Sequence, residues 1–347
     1  KNLKPKVLSP FTGFGIFFKP QSLTFRMDVD RKYAQTQNRN NDNFKAIVPR
    51  LYDKTFLITR VYGMNYNLTN NLKFDYNATV NARVEEPFGA LETQQKKDTM
   101  WANFKALGKT NDFNQVINAT YTVPLSKIKM LNWVTLSTRY TGSYNWRTAP
   151  PAAIIMGNTI QNSQTIGFNG QLNFSGFYSK FPLLRKANLP KSPGGKKKKY
   201  DDDDGNNKKE DKKDQELGGF AKATLKFLTM VKQFQLDVNS TNGTTLPGYR
   251  RGVDYLGMSN KYKAPGFAFI AGMQDDNIRY KLAEGGHLSQ NPLQINRYIQ
   301  LNGLEIKGSG TVEPFEGFRI NLNFERRFSN TTSSTFKYDT LTNSFLD

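Results

Sequence analysis

In the stretch SLTFRMDVDRKY, residues 22–33, apolar and polar side chains change places at nearly every step. Leu23, Phe25, Met27, Val29 and Tyr33 share one parity, and Thr24, Arg26, Asp28, Asp30 and Lys32 share the other. A period of two fits an extended strand, because successive side chains leave opposite faces. The pattern returns along the chain. Phe74, Tyr76, Ala78, Val80, Ala82 and Val84 oppose Asp75, Asn77, Thr79, Asn81 and Arg83. Val134, Leu136, Tyr140, Tyr144 and Trp146 oppose Thr135, Ser137, Arg139, Thr141 and Ser143. Ile166, Phe168, Leu172, Phe174 and Tyr178 oppose Asn169, Gln171, Asn173 and Ser175. Phe318, Ile320, Leu322, Phe324 and Phe328 oppose Arg319, Asn321, Asn323 and Glu325. Weaker versions cover 56–68, 113–123, 230–239 and 299–312. The last changes phase near Asn302 and Gly303, which suggests a bulge.

About nine strands are therefore expected, several alternating for ~12 to 16 residues, where ordinary strands average ~5 to 6. A membrane strand needs ~9 to 11 residues at a tilt near ~45°. The connections alternate as well. Those at 69–71, 124–131 and 313–317 are short, and those at 38–55, 86–112, 147–159 and 243–297 are long. Outer-membrane barrels place short turns on one rim and long loops on the other. The fold class expected is all-β: an antiparallel up-and-down transmembrane β-barrel segment. Nine is odd and single-chain bacterial barrels are even, so the segment reads as an arc of a larger wall. The chain starts at Lys1 without an initiator Met and is read as an internal piece of something longer.

Energy assigns the faces. A Lys or Arg turned to lipid at mid-bilayer costs ~2 to 4 kcal/mol. Arg26, Asp28, Asp30, Asp75, Arg83, Arg139, Asn169, Arg319, Asn321 and Glu325 are therefore expected to line a water-filled lumen. Leu23, Phe25, Met27, Val29, Phe74, Tyr76, Val80, Val134, Leu136, Phe168, Leu172, Phe174, Ile320, Leu322 and Phe324 are expected to face lipid. Tyr33, Tyr62, Trp133, Trp146 and Tyr178 lie near strand ends, where aromatic girdles form.

Composition narrows the alternatives. The net charge is +20. Its Lys and Arg are scattered, and the dense cluster Lys196–Lys199 is followed at once by Asp201–Asp204, so a nucleic-acid partner is not expected. No apolar run approaches the ~18 residues of a membrane helix, which does not bear on membrane strands. There is no cysteine, hence no disulfide or thiolate metal site. One histidine, His287, sits in a glycine-rich loop and reads as a surface residue. No catalytic set, metal site, phosphate loop or cofactor is expected. Seven N-x-S/T sequons occur, several of which period-two placement explains without glycans.

Two connections stand apart. Residues 182–219 fall where a short turn belongs, yet carry KSPGGKKKKYDDDDGNNKKEDKKDQE, and the part 191–217 is expected to be a disordered charged insertion. The division is thus 1–190 (six strands), 191–217 (insertion) and 218–347 (three strands). The connection 243–297 is too apolar for disorder and is expected to fold against the wall, a plug or a partner. Its candidates for partner docking or gating are Tyr249, Arg250, Arg251, Asp254, Phe267, Phe269 and Met273, with a local ion pair open to Asp254 and Arg250 or Arg251.

The stretches FRMDVDRKYAQTQNRN, LTNNLKFDYNATVNARVEEP, DFNQVINATYTVPLSKIKMLNWVTLSTRYTGSYNW, GNTIQNSQ and GTTLPGY…APGFAFIAGMQ closely resemble the SprA/Sov family of large outer-membrane proteins of Bacteroidetes. The resemblance runs through nearly the whole chain in order; the Lys/Asp-rich run departs from it. It implies a bacterial outer-membrane location and a passive channel for folded cargo. That channel is the translocon of the type IX secretion system, linked to gliding motility. It further implies rim, plug or shuttle proteins as partners, the remainder of the same barrel around this arc, and no catalytic residues. Two other readings stay open: a porin or nutrient-transporter barrel, and a soluble surface β-sandwich adhesin.

Overall fold

The computed structural model describes residues 15–38, 48–184, 219–315, 317–339, 341–342 and 344–346. Nine antiparallel strands run as one uninterrupted meander, each hydrogen-bonded to its neighbours in the chain. They are β1 (Ser22–Thr36), β2 (Leu51–Asn67), β3 (Leu72–Arg83), β4 (Lys109–Val123), β5 (Val134–Arg147), β6 (Asn158–Asn173), β7 (Val231–Tyr249), β8 (Tyr298–Phe315) and β9 (Phe318–Ser334). Among the described residues the sheet does not close. Neither β1 nor β9 has a strand on its outer side.

The pairing carries one parity from strand to strand. Leu23 lies opposite Met64, Met64 opposite Tyr76, and Tyr76 opposite Ile117. Farther along, Leu136 pairs with Gly170, Phe168 with Val238, and Gly308 with Phe324. Directly opposed residues of an antiparallel pair share a face. The apolar sets of the separate strands thus merge into one apolar surface, and their polar partners merge on the other side.

The polar side is bonded side chain to side chain across the strands. Thr59 bonds Asn81, Thr141 bonds Asn118, Ser143 bonds Ser163, and Thr165 bonds Thr241. Asn169 donates to Asp237, and Thr311 to Asn321. Charges interleave with these groups. Arg26 pairs with Asp28 at 3.0 Å. Arg327 reaches Glu305 at 2.6 Å and Glu325 at 2.8 Å, and Lys307 meets Glu305 at 2.9 Å. Opposed charges and amides support a sheet pair by roughly 0.2–1 kcal/mol each.

Several boundaries differ from the sequence reading. β6 stops at Asn173, whose side chain accepts from Gly176 N at 3.1 Å and turns the chain into helix α2 (Phe174–Tyr178). Phe174 is therefore not a strand residue, and Tyr178 is buried. Both join Trp133, Phe177 and Phe181 in an aromatic cluster at the short-turn rim. β7 runs to Tyr249, so the first seven residues of the connection 243–297 are strand. Gly243, Pro247 and Gly248 imitate a loop there. The register slips at Gly248 (φ +82), and Pro247, beyond the last residue that pairs with β8, needs no ladder N–H on that side. At Asn302 and Gly303 the register is continuous; the irregularity of β8 lies between Val312 and Phe315. The phase change arises because Ile299 and Leu301 simply occupy the polar face. The insertion 191–217 lies outside the described residues.

Candidate functional site

Apart from the one between β6 and β7, the long connections leave from one end of the sheet, and two of them fold back over the same side. That side is the apolar one. Residues 250–297, here called the lobe, cover β4 to β7. A second loop carrying α1 (Gln94–Lys105) covers β2.

The α1 loop is built locally. Thr93 caps the helix by accepting from Lys96 N at 3.4 Å, and Leu107 and Gly108, both at positive φ, end it. Met100 and Phe104 then pack on Phe56 and Ile58 of β2. The apolar face carries three cations here, Arg31 and Lys54 beside the loop and Arg60 opposite Met27 and Val80. Glu86 of the loop answers Arg31 and Lys54, at 2.6 and 3.7 Å.

In the lobe, α4 (Phe267–Ile270) and α5 (Ile278–Glu284) follow α3 (Gly219–Leu228) in chain order. Phe269, Ile270, Ile278, Leu282 and Leu288 form its apolar side. They meet Phe113, Tyr144, Trp146, Ile160, Leu246 and Tyr298 of the sheet, and this is the main hydrophobic core. A short hairpin, β10 (Lys337–Asp339) with β11 (Ser344–Leu346), adds Phe336 and Phe345 from the far side.

Polar brackets fix the lobe in place. Gln115 Nε2 donates to Ile270 O at 2.7 Å, and Tyr140 Oη donates to Ala271 O at 2.8 Å. Asn162 Nδ2 bonds Phe269 O at 3.1 Å and Met273 O at 2.9 Å. Gln274 donates back to Asn162 and accepts from Thr244. All four sheet residues stand on the apolar face, where each would be costly against hydrocarbon. Gln115, Tyr140 and Asn162 serve instead carbonyls at and just past the end of α4, and Thr244 holds the Gln274 side chain. At this point two backbones touch, because Gly142 of β5 lies against Ala271 and Gly272.

The predicted lipid-facing set is thereby divided. Leu23, Phe25, Met27, Val29, Phe74, Val134, Leu136, Phe168, Leu172, Ile320, Leu322 and Phe324 share the apolar face. Val80 shares it too but is buried beneath protein, which corrects its assignment to lipid. Tyr76 is half-buried and donates to Gln115 Oε1 at 3.2 Å, steadying that bracket. Trp146 is likewise enclosed, and its Nε1 donates to Arg251 O at 3.0 Å. The predicted lumen set (Arg26, Asp28, Asp30, Asp75, Arg83, Arg139, Asn169, Arg319, Asn321 and Glu325) shares the opposite face.

The loop candidates serve separate tasks. Tyr249 is buried and bridges to Leu288. Phe269 is core, whereas Phe267 and Met273 are exposed. Arg251 makes no pair with Asp254, which accepts from Asn260 N at 2.8 Å and closes its own turn. Arg251 instead lies over the Tyr262 ring at 3.8 Å and donates to Gly286 O and His287 Nδ1. His287 is thus part of the packing, with burial and then the Arg251 charge holding its pKa below the ordinary value. Lys281, bonded to Asp275 at 2.6 Å, holds that carboxyl below its usual range. Arg250 lines an open polar cleft of about 760 Å³ with Lys109, Asn158 and Gln290.

Sequence reasoning missed the brackets. Their signal was available: Gln115, Asn162 and Thr244 interrupt apolar parities only toward the long-loop ends of β4, β6 and β7. No family model matches the chain, and no curated protein matches it.

Proposed function

We propose that this chain is a section of the wall of a large bacterial outer-membrane barrel that conducts protein cargo, as its resemblance to the SprA/Sov family of type IX secretion translocons implies. One observation carries the reading: two faces of opposite character on strands long enough to cross a bilayer. On the uncovered part of β4 to β8, the apolar face presents Ile117, Ala119, Tyr121, Val123, Val134, Leu136 and Thr138. It continues through Ile166, Phe168, Gly170, Leu172, Phe234, Leu236, Val238 and Ser240 to Leu304, Ile306, Gly308, Gly310 and Val312, with no charge among them. Arg326 is the exception on the neighbouring strand β9, at the open edge. The opposite face is a lattice of amides, hydroxyls and paired charges, interrupted by single apolar side chains such as Leu57, Ile299 and Leu301, a surface that stays wet and offers passing cargo no continuous apolar patch.

Open edges support the arc. In hydrocarbon each unpaired backbone group costs several kcal/mol, so β1 and β9 require neighbouring strands. The channel role is passive and uses no catalytic group. Because the lobe sits on the apolar side, it supports a role at the outer wall, in docking partners, rather than as a plug across the bore.

Single cysteines at Phe168 and Asn169 test the orientation in the full-length protein within membranes. A membrane-impermeant maleimide should modify Asn169→Cys and spare Phe168→Cys. The reverse pattern would turn the wall inside out and end this reading. Equal, rapid modification of both in a protein extracted without detergent would favour the soluble sandwich.

A further inference from the structure

We propose that Arg60 anchors a lipid-phosphate site on the apolar side of the wall, in a notch between the α1 loop and the lobe. The inference rests on the wall reading above.

The register surrounds Arg60 with apolar side chains. Its same-face neighbours on β2 are Ile58 and Tyr62, and across the ladders it lies opposite Met27 and Val80. The diagonal positions are Phe25 and Val29 on β1 and Ala78 and Ala82 on β3. Such neighbours stand within ~8 Å of one another, and none of these is an acid. Glu86, which serves the cations nearer the long-loop end, is already held by Arg31 and Lys54. Among the described residues the Arg60 side chain has no ion pair or hydrogen bond, and its Nε is shut off from solvent. A guanidinium does not shed its proton in a protein, so burial cannot neutralise it as it would a lysine. Its charge has to be answered by an anion.

The notch is covered on two sides and open on a third. Toward the long-loop end, Ile58 is buried with Met100 of the α1 loop. On the β3 side, Ala78 and Val80 belong to the core beneath the lobe. The β1 side is bare: Phe25 is 61% exposed and Val29 50%. One same-face position toward the short turn, Tyr62 packs on Phe25 with ring centres 5.2 Å apart. Aromatic side chains gather at the headgroup level of a membrane. A phosphorylated lipid matches each part of this site. Its phosphate offers the planar guanidinium two oxygens at once. Its acyl chains have Phe25 and Leu23, both exposed, to lie along toward the short-turn end. A carboxylate from a partner protein would answer the charge and leave that apolar strip bare.

Photocrosslinking of the full-length protein in phosphatidylcholine/phosphatidylglycerol vesicles tests the site. Benzoylphenylalanine replaces Met27, opposite Arg60, and, as controls, Leu322 on the same face of β9 and Asp28 on the other face. Capture of labelled phosphatidylglycerol at position 27 should fall several-fold with Arg60→Gln and be largely kept with Arg60→Lys. Capture at position 322 should not change in either variant, and millimolar inorganic phosphate should not compete at position 27. Capture at 27 that ignores Arg60→Gln would mean that lipid passes there as bulk solvent, and the site is wrong. Capture of a protein segment in place of lipid would give the guanidinium a carboxylate and overturn the proposal as well. Competition by inorganic phosphate would leave an anion site and remove the lipid from it. Lipid at 322 with none at 27 ends the site and leaves the wall reading intact. If position 28 captures lipid while 27 and 322 do not, the wall reading itself fails, and this site with it.

Discussion

Gly142 of β5 and Gly272 of the lobe meet backbone to backbone: a Cβ on Gly272 would stand 2.7 Å from the Cα of Gly142. The relation is steeper in the other direction. A Cβ on Gly142 would lie 1.8 Å from Ala271 O, a backbone atom that can move only with the lobe. Gly142→Ala should therefore lift the lobe off the sheet at a cost of about 1–3 kcal/mol. Limited proteolysis would read it as faster cleavage within 250–297, with the strands still protected. Gly170→Ala on the same face is the control. Its nearest neighbours are 4.0 Å away, and cleavage should not change.

Asn162 is the most connected bracket, bonded to Phe269 O, Met273 O and Gln274. Asn162→Leu keeps the volume, strands Met273 O in an apolar interface and takes the second donor from Phe269 O, which retains Gly272 N. Each unsatisfied group costs about 1–3 kcal/mol. Hydrogen exchange across 267–275 should accelerate strongly, while exchange in β1, distant from the lobe, stays as it was. Uniform acceleration through the sheet would mean that the lobe is not a separate cooperative unit.

A pH dependence follows from Arg251 and His287. The imidazole accepts from Arg251 Nε at 3.1 Å through Nδ1, so the neutral form fits and the cation does not. Its folded pKa is lowered, by burial first and by Arg251 second. The unfolded lobe therefore binds the proton more readily. Stability is complete above the unfolded value near ~6.5 and falls as pH drops from there toward the folded pKa. Proteolysis of the lobe should be faster at pH 5 than at pH 7.5, and His287→Gln should flatten that difference. An unaltered difference in the variant would assign it to other groups.

The meander and its two faces were legible in the sequence because a period of two needs no tertiary information. Phe25 and Arg26, or Leu322 and Asn323, announce their sides by parity alone. What parity cannot report is how far down a strand the lobe reaches. Val80 and Phe168 read alike, yet one lies under the lobe and the other on the bare strip. Composition also misleads at the long-loop end of β7. Thr244, Thr245, Pro247 and Gly248 read as loop, although the first three extend β7 by pairing with β6 and Gly248 is the bulge that follows. Asn173 ends β6 through a side-chain bond that periodicity does not encode, and so Phe174 is lost from the strand.

The proposed orientation of the wall makes a paired prediction at neighbouring positions on β6. Phe168 lies on the uncharged strip, opposite Thr138 and Val238. Phe168→Arg would set a guanidinium among acyl chains near mid-bilayer, at about 2–4 kcal/mol. Asn169 faces the other way and donates to Asp237. In Asn169→Arg the new cation keeps that carboxylate as its partner and remains in water. Urea titration of the vesicle-bound, full-length protein should show a clear loss of stability for Phe168→Arg and a change within about 0.5 kcal/mol for Asn169→Arg, as for ordinary exposed positions. Charge is the only property that changes sign between the two sites. A larger loss for Asn169→Arg would therefore mean that hydrocarbon lies on the polar lattice.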